Sequence, residues 1–328
     1  MGVLPLVTIV TPSYNQARYL EQTIVSVLDQ GYANLEYMVV DGGSTDGSPE
    51  IIRSYASRLS WWVSERDHGQ AEAINKGFAR AHGEIIAWLN SDDLYQPGAI
   101  QAAVETFQAH PEAGMVYGDV LAIDGENHIL NRMHYAQWGL PELMCFNILG
   151  QPGVFMRRSV LEKAGYLDTD YHYMLDTQLW LRMAQLAPLV YLPRIMAAGR
   201  FHAEAKNMAA APRFGEESLA LVEWMQAQPG LAGQLQTLLP KVRAGAYRMN
   251  GRYLLDGGKP WPALKSYFRS FTNHPATALT EWHRMVYAGL CLVGLNRLRS
   301  PYLRMRRALK GQNNQVLTFP NLNHTGSH

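Results

Sequence analysis

Three times before residue 95, an apolar run of strand length ends in a cluster of polar residues and a helical pattern follows. Leu6-Val7-Thr8-Ile9-Val10-Thr11 runs into Pro12-Ser13-Tyr14-Asn15, and Glu36-Tyr37-Met38-Val39-Val40 into Asp41-Gly42-Gly43-Ser44-Thr45-Asp46-Gly47. Ile85-Ile86-Ala87-Trp88-Leu89 runs into Asn90-Ser91-Asp92-Asp93. Leu20, Ile24, Val27 and Leu28 recur at helical spacing after the first run, Ile51 and Ile52 open a helix after the second, and a third helix is expected over 97–110. This repeat calls for parallel strands, because only a crossover lets the chain start each strand in the same direction. Right-handed crossovers bring the three tips to one edge of one sheet, where open α/β sheets bind their ligands. The expected class is therefore α/β.

The chemistry of the tips narrows the function. An amide, a hydroxyl and two adjacent carboxylates at 90–93 are hard oxygen donors suited to Mg2+ or Mn2+, although Asp is also a common helix cap. Gly42 and Gly43 permit positive φ and close approach of backbone to a ligand, or simply a tight turn. Asp41 is placed to accept hydrogen bonds from a base or ribose. No G-x-G-x-x-G follows the first run and no G-x-x-x-x-G-K-[ST] occurs, which argues against dinucleotide enzymes and P-loop NTPases.

Taken with later segments, these residues give a specific resemblance. Thr11-Pro12-Ser13-Tyr14-Asn15, Val40-Asp41 to Gly47, Ser64-Glu65-Arg66-Asp67-His68-Gly69-Gln70 with Ala73-Ile74-Asn75-Lys76-Gly77, and Trp88-Leu89-Asn90-Ser91-Asp92-Asp93 follow in order. Gln151-Pro152-Gly153-Val154-Phe155-Met156-Arg157-Arg158, Asp176-Thr177-Gln178-Leu179-Trp180-Leu181-Arg182 and Arg200-Phe201-His202 come later. The chain resembles the family 2 glycosyltransferases, inverting enzymes with a nucleotide-diphospho-sugar transferase fold of the A type (GT-A). The likeness covers roughly residues 5 to 207 and implies a Rossmann-like mixed sheet flanked by helices, with a helical C-terminal subdomain.

The resemblance also implies roles. Pro12, Tyr14 and Asn15 belong to the nucleotide-binding loop, Asp41 to the carboxylate that reads the base, and Asp67 and Lys76 to further nucleotide contacts. Asn90-Ser91-Asp92 stands at the family's D-x-D motif, which makes Asp92 the metal ligand with Asp93 close behind. Asn at the first position leaves one charge fewer near the ribose. His202, in the place of the R-x-H loop with Lys206 nearby, joins the metal and diphosphate side, although a lone His after an Arg is commonly a surface residue. Inversion at an anomeric carbon needs a carboxylate to take the acceptor hydroxyl's proton. Asp176 stands where the E-D-x-D-L-W-L-R pattern holds that base, with Leu175 and Gln178 replacing the flanking acids. The competing reading of Asp176 is the N-cap of a helix burying Leu179, Leu181 and Leu186. Gln151 and Arg182 are expected on the acceptor side.

The 328 residues, 47% hydrophobic and 17% charged, allow a main domain and an appendage. The expected organisation is a catalytic domain over 1–210, a helical subdomain over 211–280 and an amphipathic basic segment with a flexible tail over 281–328. Within the first, 1–110 forms the nucleotide-sugar half and 111–210 the acceptor half. Around Ala244–Leu255 the subdomain faintly resembles one tetratricopeptide-type hairpin, which cannot form a solenoid by itself. Cys145 and Cys291 have no motif spacing, and Met1–Pro5 is too short for a signal peptide. From Trp282 onward there are seven Lys or Arg and no acid, which leaves net −6 in the preceding part of a +1 chain. The apolar run Met285–Leu295 is too short to span a bilayer. Peripheral membrane contact through 282–310 and a helix packed on the enzyme with a solvated basic tail are both open readings. Nucleic acid is not an expected partner.

The reading reached from the sequence is a metal-assisted inverting glycosyltransferase using a UDP-, GDP- or dTDP-sugar. It would act in the cytoplasm on a glycan or lipid-linked glycan, in surface polysaccharide assembly. A degenerate nucleotide-binding scaffold and a sugar nucleotidyltransferase are the alternatives. The latter would want a Gly-rich basic loop that Pro12–Gln16 lacks.

Overall fold

The computed structural model describes residues 4–202, 210–295 and 317. The helices and strands, in chain order, are β1 Val7–Ser13, α1 Ala17–Leu28, β2 Leu35–Asp41, α2 Ser48–Ser54, β3 Trp61–Ser64, α3 Gln70–Phe78 and β4 Ile85–Trp88. Next come β5 Leu94–Tyr95, α4 Ala99–Ala109, β6 Met115–Ile123, β7 Ile129–Met133, α5 Leu140–Met144, β8 Val154–Arg157, α6 Arg158–Ala164, α7 Leu175–Met183 and β9 Leu189–Arg200. The remaining helices are α8 Ala211–Ala227, α9 Ala232–Asp256, α10 Pro260–Asn273, α11 Pro275–Leu279 and α12 Trp282–Leu292. These fall into two compact units, one of described residues 4–138 and 149–200, the other of 139–148 and 210–295 with Phe201 and His202.

The first unit is built on a sheet ordered β3-β2-β1-β4-β8-β6-β9-β5, with β7 paired to β6. β3, β2, β1 and β4 are mutually parallel, as the repeated pattern of strand, tip and helix requires. β1 and β4 are buried along their whole length because helices cover both faces of a parallel sheet. β8 is antiparallel to β4 and β6, β5 to β9, and β7 to β6, so the sheet is mixed. The first two crossovers step from β1 to β2 to β3, and the third jumps back to place β4 on the other side of β1. That reversal is a topological switch point, and it opens a crevice beyond the ends of β1 and β4.

Close packing sets where helices sit. A Cβ on Gly77 in α3 would stand 2.4 Å from Val10 Cγ1, so this glycine lets α3 lie directly on β1. Trp88, the last residue of β4, stacks on Trp180 of α7 at 5.2 Å and meets Phe78 edge-on at 5.8 Å. α7 ends at Met183, so Leu186 lies beyond it and is 50% exposed, unlike the buried Leu179 and Leu181. The sequence reading had all three buried by one helix. The helix ends at Met183, and Leu186 falls outside it.

In the second unit α9 is the spine. Gly245 brings its backbone against the Cys145 carbonyl and Gly251 brings it against the Tyr267 ring, in each case where a Cβ would collide. Leu255, Ala263, Tyr267 and Ala288 join α9, α10 and α12 in one apolar cluster. Cys145 and Cys291 are free thiols. Among the described residues no helix is long and apolar enough to cross a membrane.

Candidate functional site

At the crevice the tips of β1 and β2 are sewn together. Asn15 takes φ +51°, a left-handed conformation that Asn tolerates, and its N–H donates to Ser44 Oγ at 2.8 Å. Its side-chain oxygen accepts from the Thr45 N–H, while the Ala17 N–H donates to Asp46 Oδ2 at 2.8 Å. The Gly42 N–H donates to the Ser13 carbonyl. Tyr14 projects from this seam, 63% exposed, while Pro12 is buried in β1 beneath it. Ser13 Oγ is buried with no hydrogen-bond partner among the described residues.

Asp41 is fully buried, and its carboxylate shapes its own loop. Oδ2 accepts from the N–H groups of Gly43 and Ser44 and from Ser64 Oγ, and Oδ1 accepts from Ser44 Oγ. Asp67 lies directly over Gly42, where a Cβ would come within 2.6 Å of Oδ2, so the close approach anticipated for this glycine is to a carboxylate. Burial raises the Asp67 carboxyl above its usual range, with the charges of Glu72 and Asp41 adding to the effect. Lys76 of α3 pairs with Glu65 at 2.6 Å.

The β4 tip is organised by an amide chain and an arginine. Asn90 accepts from Gln70 at 2.8 Å and donates to Asp93 and Gln151, each at 3.2 Å, and Gln151 donates to the Trp88 carbonyl at 2.8 Å. Ser91 and Asp93 are buried, whereas Asp92 is half-buried. Asp93 accepts the Arg200 N–H at 2.9 Å. Burial, reinforced by the charge of Asp92, pushes the Asp93 carboxyl well above the usual range. Arg200, 3% exposed at the end of β9, donates to the Asp92 carbonyl, the Asp124 carbonyl, Asn127 and Gln22, and covers the Tyr19 ring at 4.5 Å. The sequence reading saw Arg200 only as part of a loop. An arginine closing the apolar run Met196–Gly199 was the available signal that it serves inside the fold.

Asp176 lies in the first turn of α7, whose N-cap is Met174, so it is not the cap residue. One helical turn later on the same face comes Trp180, which ties this part of α7 to Trp88 at the β4 tip. Asp176 Oδ1 accepts from the Thr177 N–H at 2.6 Å, and its charge helps raise the Tyr135 phenol, for which burial is the larger cause. Arg182 does not join the tips. It grips the carbonyls of Ala164, Gly165 and Tyr166 and bonds Gln178, which fixes the loop before α7. His202 follows β9 by two residues and belongs to the second unit, and Lys206 lies outside the described residues.

Among the described residues no group of three or more His, Cys, Asp or Glu side chains is arranged to hold a metal. A half-buried Asp92, backed by a buried carboxylate and with its carbonyl pinned by Arg200, still fits Mg2+ or Mn2+. Such ions are commonly held by one or two carboxylates together with substrate phosphates.

The sheet, its switch point and the acidic β4 tip define a nucleotide-diphospho-sugar transferase fold of the GT-A class. A mannosyltransferase from Pyrobaculum calidifontis, solved with GDP-Man and Mn2+, superposes with TM-score 0.59 at 21% identity over 95% of this chain and 89% of that one. A sequence model described as glycosyl transferase family 2 matches residues 8–162. An uncharacterized glycosyltransferase of Nostoc sp. is 30% identical over 224 residues, 64% of this chain and 69% of its own length. TuaG of Bacillus subtilis, named for teichuronic acid biosynthesis, is 39% identical over 104 residues, 31% of this chain and 41% of that protein. The chain belongs to glycosyltransferase family 2 and is a transferase enzyme.

Proposed function

We propose that the enzyme inverts configuration at the anomeric carbon as it moves one sugar from a nucleotide-diphosphate donor to a hydroxyl of a glycan or lipid-linked glycan. The observation that carries this reading is the switch point in the strand order, where the exposed Tyr14 ring and the half-buried Asp92 stand at the ends of β1 and β4, the strands that flank the reversal. Tyr14 offers a stacking face for the base, and the orphaned Ser13 Oγ is a polar atom that a donor at the tips would satisfy. Asn15, Asp41, Asp67 and Lys76 hold the loops of the nucleotide side. Asn90 and Ser91 form the turn that presents Asp92, with Asp93 beneath.

A bound Mg2+ or Mn2+ would be held by Asp92, with Asp93 as the further candidate, and would neutralise charge gathering on the leaving diphosphate. Asp176 takes the acceptor proton as the hydroxyl oxygen attacks from the face opposite the diphosphate, which departs with the electrons of the broken glycosidic bond. Gln151, joined to Asn90 and the Trp88 carbonyl, lines the acceptor side. Arg182 supports the same side indirectly through the 164–166 loop. Nucleotide-sugars and the likeness to TuaG point to surface polysaccharide assembly at the cytoplasmic face of a membrane.

A second reading, a nucleotide-binding scaffold without transfer, draws on Leu175 and Gln178, where the motif's flanking acids are missing and Gln178 is taken up by Arg182. Calorimetric binding of UDP, GDP and dTDP, with Mn2+ and with chelator, tests the donor side. Asp92→Ala is expected to abolish the metal-dependent part of binding. Asp176→Asn is expected to leave binding intact and to lower kcat by about a thousandfold or more. Near-normal transfer by Asp176→Asn would remove it as the base, and nucleotide binding with no transfer to any glycan would favour the scaffold.

A further inference from the structure

Helix α12 reverses the pattern of a water-facing helix. Its only charged side chain, Arg284, turns inward, 13% exposed, bonding Asp256 at 2.8 Å and approaching Glu281 at 3.8 Å. The inner face also carries Ala288 and Met285, packed on the cluster of Leu255, Ala263 and Tyr267. Trp282, Val286 and Val293 share the opposite face at helical spacing, and they are 60%, 54% and 70% exposed. Neighbouring α10 does the same in part. It buries Ala263, Ser266, Tyr267 and Ser270 while Trp261 and Phe268 stand outside, with Lys265 Nζ 5.1 Å from the Trp261 ring centre.

Charge completes the pattern. From Gly257 to the end of the chain the sequence holds ten Lys or Arg and one acid, Glu281. That acid is 4% exposed and is engaged by Arg252, Arg284 and Tyr267. No carboxylate therefore remains on the outside of 257–295. A protein interface ordinarily has a polar rim of mixed charge, whereas one charge sign around exposed aromatic and branched aliphatic side chains suits a layer of anionic headgroups over acyl chains.

We infer that α12 lies in the interface of an anionic lipid bilayer, with Trp282, Val286 and Val293 toward the acyl chains and Lys259, Lys265 and Arg269 toward the headgroups. Eleven residues are too few to span the layer, so the helix rests in its plane. The inference stands on the second unit alone and is independent of the transfer chemistry.

The test is sedimentation of the full chain with vesicles of phosphatidylcholine alone or mixed with phosphatidylglycerol, at low and high salt. Nucleotide binding and thermal midpoint are measured without vesicles in parallel. Wild-type protein should pellet with the phosphatidylglycerol vesicles, less with phosphatidylcholine and less at high salt. Val286→Asp should lower that partitioning by about tenfold or more, with nucleotide binding and thermal midpoint unchanged. Two results overturn the inference. One is lipid binding that Val286→Asp does not weaken, which would leave the basic tail as the contact. The other is absence of vesicle binding together with a dimer that Val286→Asp dissociates, which would make this face a contact between copies of the chain.

Discussion

At the scale of single residues, the site depends on side chains that hold other side chains. Asp41 was legible as the polar tip of a strand, but the hydrogen bonds that its carboxylate accepts within the β2 loop were not, because they depend on how Gly43, Ser44 and Ser64 fold around it. Arg200 is the clearer instance. Its fork joins Asp92, Asp124, Asn127 and Gln22, which lie up to 178 positions from it in the chain. A lysine keeps the charge, yet a single ammonium cannot reach this set at once. Arg200→Lys should lower stability by roughly 1–3 kcal/mol through acceptors left unsatisfied. It should also weaken metal-dependent nucleotide binding, as denaturant titration and calorimetry on the same variant would show. Unchanged affinity would mean that the Asp92 turn holds its shape without the clamp.

At the scale of elements, local preference and packing pull apart. Gly77 interrupts α3, where alanine is intrinsically favoured by about 1 kcal/mol. The close approach of Val10 reverses the sign, since an added Cβ would stand 2.4 Å from Cγ1. Gly77→Ala is expected to destabilise the protein by about 1–3 kcal/mol. A thermal midpoint above that of the wild type would show that α3 can lift off β1 at little cost. The parallel strands β1, β2 and β4 and their following helices could be read in advance, because periodicity and polar tips are local signals. The pairings of β5 to β9 could not, because they join strands that return from distant parts of the chain onto β4, β6 and β9. The end of α7 before Leu186 was misread for a related reason, since apolar spacing continues past the point where the backbone turns.

At the scale of the whole molecule, the second unit is held by buried charge as well as apolar packing. Burial alone would raise the Glu281 carboxyl, but Arg252, Arg284 and Arg248 outweigh it and hold the group at about 2. Because the folded value lies below the unfolded one, the stabilisation is complete above the ordinary carboxylate range and is lost as pH falls toward about 2. Glu281→Gln, which leaves the arginines without their partner, should cost about 3–5 kcal/mol at neutral pH and flatten the acid limb of the stability profile. Urea melts between pH 3 and 7 would register both effects, and an unchanged acid limb would assign it to other carboxylates. The α/β class, the loops at the strand tips, the acidic turn at 90–93 and the excess of C-terminal basic residues were determined by sequence alone, from period, residue chemistry and order along the chain, and the GT-A class followed from the resemblance to family 2. Only the tertiary structure decided that the strand order reverses between β1 and β4, that Arg200 braces Asp92 and that α12 turns its arginine inward and its apolar face outward. Each of these depends on groups brought together from distant positions, and no local pattern encodes such a meeting.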